Sequence, residues 1–424
     1  MRKLLTAVLL LSCTAAGAQG PLAQLLEGRA LPPALVPAPA PADLSYLETD
    51  DRYWVTVSAD DKYDRTALLA AGLDIVEIGE HYVSGLIAKP DMEQLAAKGF
   101  ILRASQPIAE YARTHLKDFP ASDAAYHNYA ETEAELRGLA AANPAETSLF
   151  SIGKTTQGRD IWCLRVNPSE KGERPSAKPA AFFMGNHHAR EHLTAEVSLA
   201  LARELLSRKN DPEIRKYIDT LDIYIAPMTN PDGVEYDIAA GKYRWHRKNM
   251  RVNADKSLGV DLNRNYDSRW CAAGASHYQG SDTYCGPYAF SEPETQAIRD
   301  FVLARPNIKT LMSYHSYSSL VLYPWAGLDN PVENENDRKV FTALGKVMAS
   351  FTGYKPEQSS DLYIATGDTT DWAYAARGIF AFTTELEGSS FYPGASIIAR
   401  ACANNVKAAL YLLSVTDDPY RLAR

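Results

Sequence analysis

From about residue 126 onward, strand-like and helix-like segments alternate along the chain. They run TSLFSIG, DIWCLRV, AAFFMG, a long helix from Thr194, LDIYIAPM, a helix capped by Ser291 and Glu294, IKTLMSYH, another helix, IFAFTTEL, and a final helix from Ala395. This alternation restricts the segment to one large α/β domain with a mixed, mostly parallel sheet and helices on both faces. Three polar residues sit at the C-terminal ends of apolar strands: His188, His315 and Glu385. Ligands of open α/β sheets bind outside those ends, so three residues far apart in sequence are placed to meet.

The segment before that domain reads differently. RYWVTVSA (52 to 59) is a strand, followed by a helix running to Gly72, and residues 74 to 88 form a strand pair turning near Gly79 and Glu80. Asp91 with Gln94 makes a capping box for a short helix ending at Gly99, and FILRASQPI adds a strand. The whole is a small α+β unit over residues 46 to 108. Residues 109 to 117 form a connector in which Arg113 and Lys117 are open to a trypsin-like protease, and residues 118 to 424 form the large domain. Ahead of both, residues 19 to 45 are Pro/Ala-rich and read as an extended linker.

Arg2 and Lys3, the apolar stretch Leu4 to Leu11 and Ala16-Gly17-Ala18 read as a signal peptide over residues 1 to 18, cut near Gln19. Export to the extracellular space or periplasm is the expectation. A lipoprotein signal ending at Cys13 is the alternative, although Leu11 fits that pattern poorly. No later apolar run reaches about 18 residues, so no membrane span is expected. A net charge of −8 without a Lys/Arg run disfavours nucleic acid as a partner. Four cysteines remain beyond Cys13, and an oxidising compartment allows three pairings of them. Cys271 and Cys285 flank a loop that closes easily, and a disulfide there would stabilise by roughly 3 kcal/mol. Cys163, in a strand, and Cys402, in a helix, read as free buried thiols.

His188-Ala-Arg-Glu191 brings a ring nitrogen and a carboxylate to one face of a turn. On residues alone, His188 and His192 could also ligate together, and a His-Glu-x-x-His metalloprotease helix is absent. A catalytic zinc site takes three protein ligands and leaves a position open, so a third must come from elsewhere; His315 at its strand end is the best candidate.

Five separated blocks occur in order: HHAREH, HRKN, GVDLNRNYD, YHSYSSLVLYP, and DLYIATGDTTDWAY followed by FTTEL. With these the chain resembles the zinc metallocarboxypeptidases of the carboxypeptidase A/B type, and within them the bacterial carboxypeptidase T group. The resemblance covers about Asp118 to the C-terminus. It implies one zinc ion per chain held by His188, Glu191 and His315, with His187 orienting its neighbours and His192 outside the ligand set. It further implies Glu385 as general base, Arg247 as the cation that steadies the oxyanion, and Asn263 with Arg264 as the clamp on the substrate's terminal carboxylate. Tyr363 matches a tyrosine that folds over the bound end. Thr370 matches the floor of the specificity pocket, with Asp368 beside it and Leu362 as apolar wall. A threonine floor beside an acid implies broad specificity, apolar ends first and basic ends tolerated.

The resemblance also casts residues 46 to 108 as an inhibitory propeptide, so that the protein is made as a zymogen. Peptide or protein C-termini are then the substrates, a trypsin-like protease the activator, and a monomer the expected state. One departure stands out: EKGERPSAKPAA lacks the acidic cluster that the calcium ligands of the carboxypeptidase T group require. Two rivals remain, a cell-wall peptide amidase or endopeptidase on the same fold and an inactive peptide-binding module. The clamp argues against the first, because a substrate without a free carboxylate would leave the Arg264 cation unpaired. The complete catalytic set argues against the second.

Overall fold

The structure is a computed structural model that describes residues 50–108, 110–111, 123–239 and 243–424. The leader, the Pro/Ala-rich linker, Cys13, Arg113 and Lys117 lie outside the described residues.

The N-terminal unit is a four-stranded antiparallel sheet of β1 (Arg52–Ser58), β2 (Asp74–Ile78), β3 (Tyr82–Ala88) and β4 (Leu102–Pro107), in the order β2-β3-β1-β4. The helix Lys62–Ala70 and the short helix Lys89–Leu95 lend Leu68, Leu69 and Leu95 to its interior. There Leu68 and Leu95 pack with Val55, Val57, Val83 and Ile87. Gly72, at φ +96°, follows the first helix in the left-handed conformation that suits a helix end.

The second helix departs from expectation. It begins at Lys89 from Ala88 with no side-chain cap, and Asp91 lies buried within its first turn. Pro90 explains the shift, since its fixed φ is already helical and needs no N–H there. The helix Pro293–Leu303 repeats the pattern: its N-cap is Glu292, without a side-chain cap bond, and Ser291 Oγ donates to the Glu292 carboxylate at 2.6 Å instead.

The large unit holds eight strands: β5 (Thr147–Lys154), β6 (Asp160–Val166), β7 (Ala180–Met184), β8 (Asp222–Ala226), β9 (Ile308–Ser316), β10 (Leu320–Tyr323), β11 (Lys355–Gln358) and β12 (Phe380–Leu386). They lie in the order β11-β10-β12-β9-β7-β8-β6-β5. Strands β12, β9, β7 and β8 run parallel through the centre, and β10 and β11 pair parallel at one edge. Antiparallel contacts join β12 to β10, β8 to β6 and β6 to β5. All residues of β7 and β8 are buried, as expected for strands covered on both faces.

On one face, Phe183, Met312, Tyr314 and Phe382 pack against the helices Leu193–Ser207, Glu335–Thr352 and Ile398–Val415. On the other, Phe182, Leu311 and Ala381 pack against Pro293–Leu303 and Thr369–Arg377. The parallel run of β7, β9 and β12 sends all three C-terminal ends to the same sheet edge, where His188, His315 and Glu385 lie. Cys271 and Cys285 are joined in a disulfide across a separation of 14 residues, while Cys163 and Cys402 are free and buried. No helix among the described residues is long and apolar enough to cross a membrane.

Candidate metal centre

His188 and Glu191 sit in the turn between β7 and the helix Leu193–Ser207, and His315 is the penultimate residue of β9. Buried Asn186, at φ 50°, bends the chain after β7, and its amide donates to the Glu191 carbonyl at 3.1 Å. The turn therefore delivers both side chains to the end of β9. His188 Nδ1 lies 2.7 Å from Glu191 Oε1, His315 Nδ1 lies 3.0 Å from Glu191 Oε2, and the two Nδ1 atoms are 3.1 Å apart. All three residues are buried.

The outer ring edges are held too. His188 Nε2 lies 3.1 Å from Asp261 Oδ1, and His315 Nε2 lies 3.1 Å from Ser313 Oγ. A proton on His188 Nε2 facing Asp261 leaves its Nδ1 lone pair aimed inward, the tautomer that a metal ligand requires. Two imidazole nitrogens and a carboxylate converging on one point fit a zinc ion. Burial works to raise the Glu191 carboxyl, but the two histidines that face it outweigh burial and hold it well below the usual carboxylate range.

The other histidines of this turn serve elsewhere. His187 Nε2 lies 2.9 Å from Tyr266 Oη, and its ring stacks on that of His315 at 5.5 Å between centroids. His192 Nε2 lies 2.9 Å from Asp237 Oδ2. Neither joins the cluster of three.

A cavity of about 400 Å³ opens on the centre, lined by His188, Glu191, His315, Glu385, Arg247, Asn263, Arg264 and Tyr363 among others. Glu385 stands beside His315 in the β12–β9 register. Burial, then the charge of Glu191, pushes its carboxyl up to about 8, against the pull of Arg247 and Arg264. Arg247 donates through Nε to Asp261 Oδ2 at 2.9 Å, so one aspartate orients both the metal-side histidine and this cation. Arg264 is fastened by Nε to the Gly274 carbonyl at 3.0 Å and by Nη1 to the Asn263 carbonyl at 2.9 Å. Gly367, at φ +78°, packs against that segment, where a Cβ would come within 2.2 Å of the Arg264 carbonyl oxygen.

Asp368 and Thr370 are placed differently from this group. Asp368 caps the helix Thr369–Arg377: its Oδ1 accepts from Thr370 N at 2.8 Å, Thr370 Oγ1 at 2.6 Å and Asp371 N at 2.9 Å. Its Oδ2 accepts from Asn263 Nδ2 at 3.1 Å. Both carboxylate oxygens are thus engaged within the protein, and neither residue is among those lining the cavity.

Several functional neighbours were not singled out from sequence. Asp261 and Ser313 lie inside or beside the quoted blocks without announcing a role. Arg190, fully buried between the two ligands of the turn, pairs with Asp74 of β2, and Asp74 also stands 3.6 Å from Arg247. Ile75, Val76, Glu77 and Ile78 of the same strand complete the cavity wall.

Residues 132–408 match the family described as zinc carboxypeptidase. A zinc carboxypeptidase of Saccharothrix mutabilis subsp. capreolus is 33% identical over 404 residues, covering 89% of this chain and 92% of that protein. Human carboxypeptidase B is 33% identical over 273 residues, 63% of this chain and 64% of its own length. Among solved structures, carboxypeptidase A from Helicoverpa armigera shares the fold at a TM-score of 0.73 and 24% identity, covering 86% of this chain and 97% of that one. That share exceeds what residues 123–424 alone make up, so the likeness extends into the residues before them. With a buried two-histidine, one-glutamate cluster at the strand ends and a family match over most of the chain, the protein belongs to the zinc carboxypeptidases, peptide hydrolases that use one zinc ion.

Proposed function

We propose that the protein removes the C-terminal residue from peptides and proteins, is exported, and is made as a zymogen. The observation that carries the exopeptidase reading is the meeting of four parts in one cavity: the ligand cluster, Glu385, Arg247 and the Asn263–Arg264 pair. When bound, zinc supplies Lewis-acid chemistry, acidifying a water and polarising the scissile carbonyl. Arg264 and Asn263 hold the terminal carboxylate, the guanidinium offering parallel donors to its oxygens, which sets the reach from chain end to scissile bond. Glu385 takes the proton of the attacking water at a carboxylate oxygen and returns it to the leaving amine nitrogen. Arg247, fixed by Asp261, donates to the oxyanion, a contribution of about 3 to 4 kcal/mol for one such donor. Tyr363 borders the cavity where it can cover the bound end and exclude water.

A C-terminally amidated peptide should therefore be a poor substrate beside its free acid. Its kcat/KM should fall by about 100-fold or more, because the clamp's buried cation loses its partner. Equal rates on the two peptides would instead favour an amidase or endopeptidase. Chelation gives an independent expectation. A zinc chelator should lower turnover by about 100-fold or more and reduce the melting temperature, since removing the ion leaves two lone pairs and a carboxylate facing each other in a buried site. Stoichiometric zinc should restore both; activity that survives verified removal of the metal would contradict the assignment of His188, Glu191 and His315.

A further inference from the structure

The sheet register places a second carboxylate on the catalytic face. In β12, Phe382 points to the helix Glu335–Thr352, while Thr383 and Glu385 alternate to the opposite face. Strand β10 continues the row, with Leu320 beside Glu385 and Leu322 beside Thr383, and Val321 turned to the helix side. Strand β11 continues it again, with Glu357 beside Leu322, while Pro356 meets Gly345 of the helix. Glu357 therefore shares a face with Glu385, two strands across and two residues along, about 12 Å at the usual strand spacing and rise. It lines the same cavity as the metal ligands and Arg264, and it is only 8% exposed.

Its bonding separates Glu357 from the other acids that the large unit places near the cleft. Glu191 faces the two histidines and Glu385 stands at the reacting atoms. Asp368 is filled by four donors, and Asp371 accepts the amides of Ala326 and Gly327. Glu357 has one ion-pair partner among the described residues, Lys355 on its own strand, whose side chain is 72% exposed. A buried carboxylate whose counter-ion is a flexible, solvated lysine can exchange that lysine for a cation brought by a ligand at little cost, since such exposed partners contribute little.

We propose that Glu357, rather than Asp368, is the carboxylate that accepts a basic side chain of the substrate, that of a C-terminal Lys or Arg. With the terminal carboxylate clamped at Arg264, the long side chain runs along the cavity wall, its methylenes on Leu320 and Leu362 and its charge at Glu357. Apolar ends stop at the leucines, which accounts for one pocket taking both kinds. This rests on the exopeptidase reading given above.

The test uses the full chain, assayed before and after limited trypsin treatment on acylated dipeptides ending in Phe, Leu, Lys or Arg. The readout is the ratio of kcat/KM on Lys and Arg ends to that on Phe ends. Glu357→Gln should lower this ratio about tenfold or more, and Lys355→Ala should raise it by removing the competing ammonium. Asp368→Asn, which keeps the helix cap, should hold the ratio within about twofold. An unchanged ratio in Glu357→Gln, or a fall in Asp368→Asn instead, overturns the proposal. If Glu357→Gln does not fold, Lys355→Ala at its exposed position decides: a ratio that stays level or drops overturns it. Failure of the exopeptidase reading is visible separately, as wild-type protein cutting amidated and free-acid Phe peptides equally.

Discussion

Glu385→Gln should lower kcat by about a thousandfold, roughly 4 kcal/mol of barrier, while leaving KM and zinc content near those of the parent protein. Glutamine fills the same space and can still face a water, but it cannot accept a proton, so the variant isolates the proton transfer. The position makes the effect large. Glu385 is neighboured in register by the ligand His315, lines the cavity, and has Arg247 and Arg264 as opposing charges. Burial and Glu191 raise its affinity for a proton, which suits a group that must take one from water and then give it to an amine. A fall in kcat and kcat/KM together marks an interaction made only in the transition state. Metal analysis of the same sample separates this from a collapsed centre. Near-parental turnover in a zinc-loaded Gln variant would remove Glu385 from the chemistry.

What the sequence discloses here follows from which interactions are local. Alternating apolar strands and helices write the α/β class into the chain directly, and parallel strands must end at a common edge. His188, His315 and Glu385 can therefore be placed together before any coordinates are known. Asp368 shows the limit. Its charge is legible beside Thr370, but whether that charge faces a ligand depends on where the next helix begins. The helix starts at Thr369, which turns Asp368 into its N-cap and spends one oxygen, while Asn263 takes the other. Asp91 and Ser291 illustrate the same dependence, since a proline in the first turn fixes the helix start and displaces the residue whose spacing suggests a cap. Glu357 is legible only through strand register, and Asp74 only through docking: nothing in DIVEI indicates that its first residue will meet an arginine 116 positions away.

That last contact underlies the second large effect expected of this protein. Limited trypsin treatment should raise kcat/KM by about 100-fold or more, and Asp74→Asn should release part of that activity without cleavage. The small sheet does more than cover the cleft. Strand β2 forms part of the cavity wall, and Asp74 bonds Arg190 and stands beside Arg247, the cation proposed to steady the oxyanion. Arg65 of the same unit's helix Lys62–Ala70 donates to the carbonyls of Leu362 and Asp361, and Thr66 Oγ1 accepts from Ile364 N at 2.7 Å. Those bonds grip Tyr363 from both sides in sequence. Arg52 adds donors to the carbonyls of Arg244 and Trp245 and to Asp282, at 3.2 to 3.4 Å. Removing one charge from a buried pair typically costs about 3 to 5 kcal/mol. Asp74→Asn therefore weakens the seal while Arg52, Arg65 and Thr66 still hold the sheet in place. The variant should leak activity yet remain further activated by trypsin, and after cleavage it should match the parent, because the substituted residue has left. An uncleaved parent already at full activity, or an Asp74→Asn protein as silent as the parent, would show that the sheet does not restrain the enzyme through this contact.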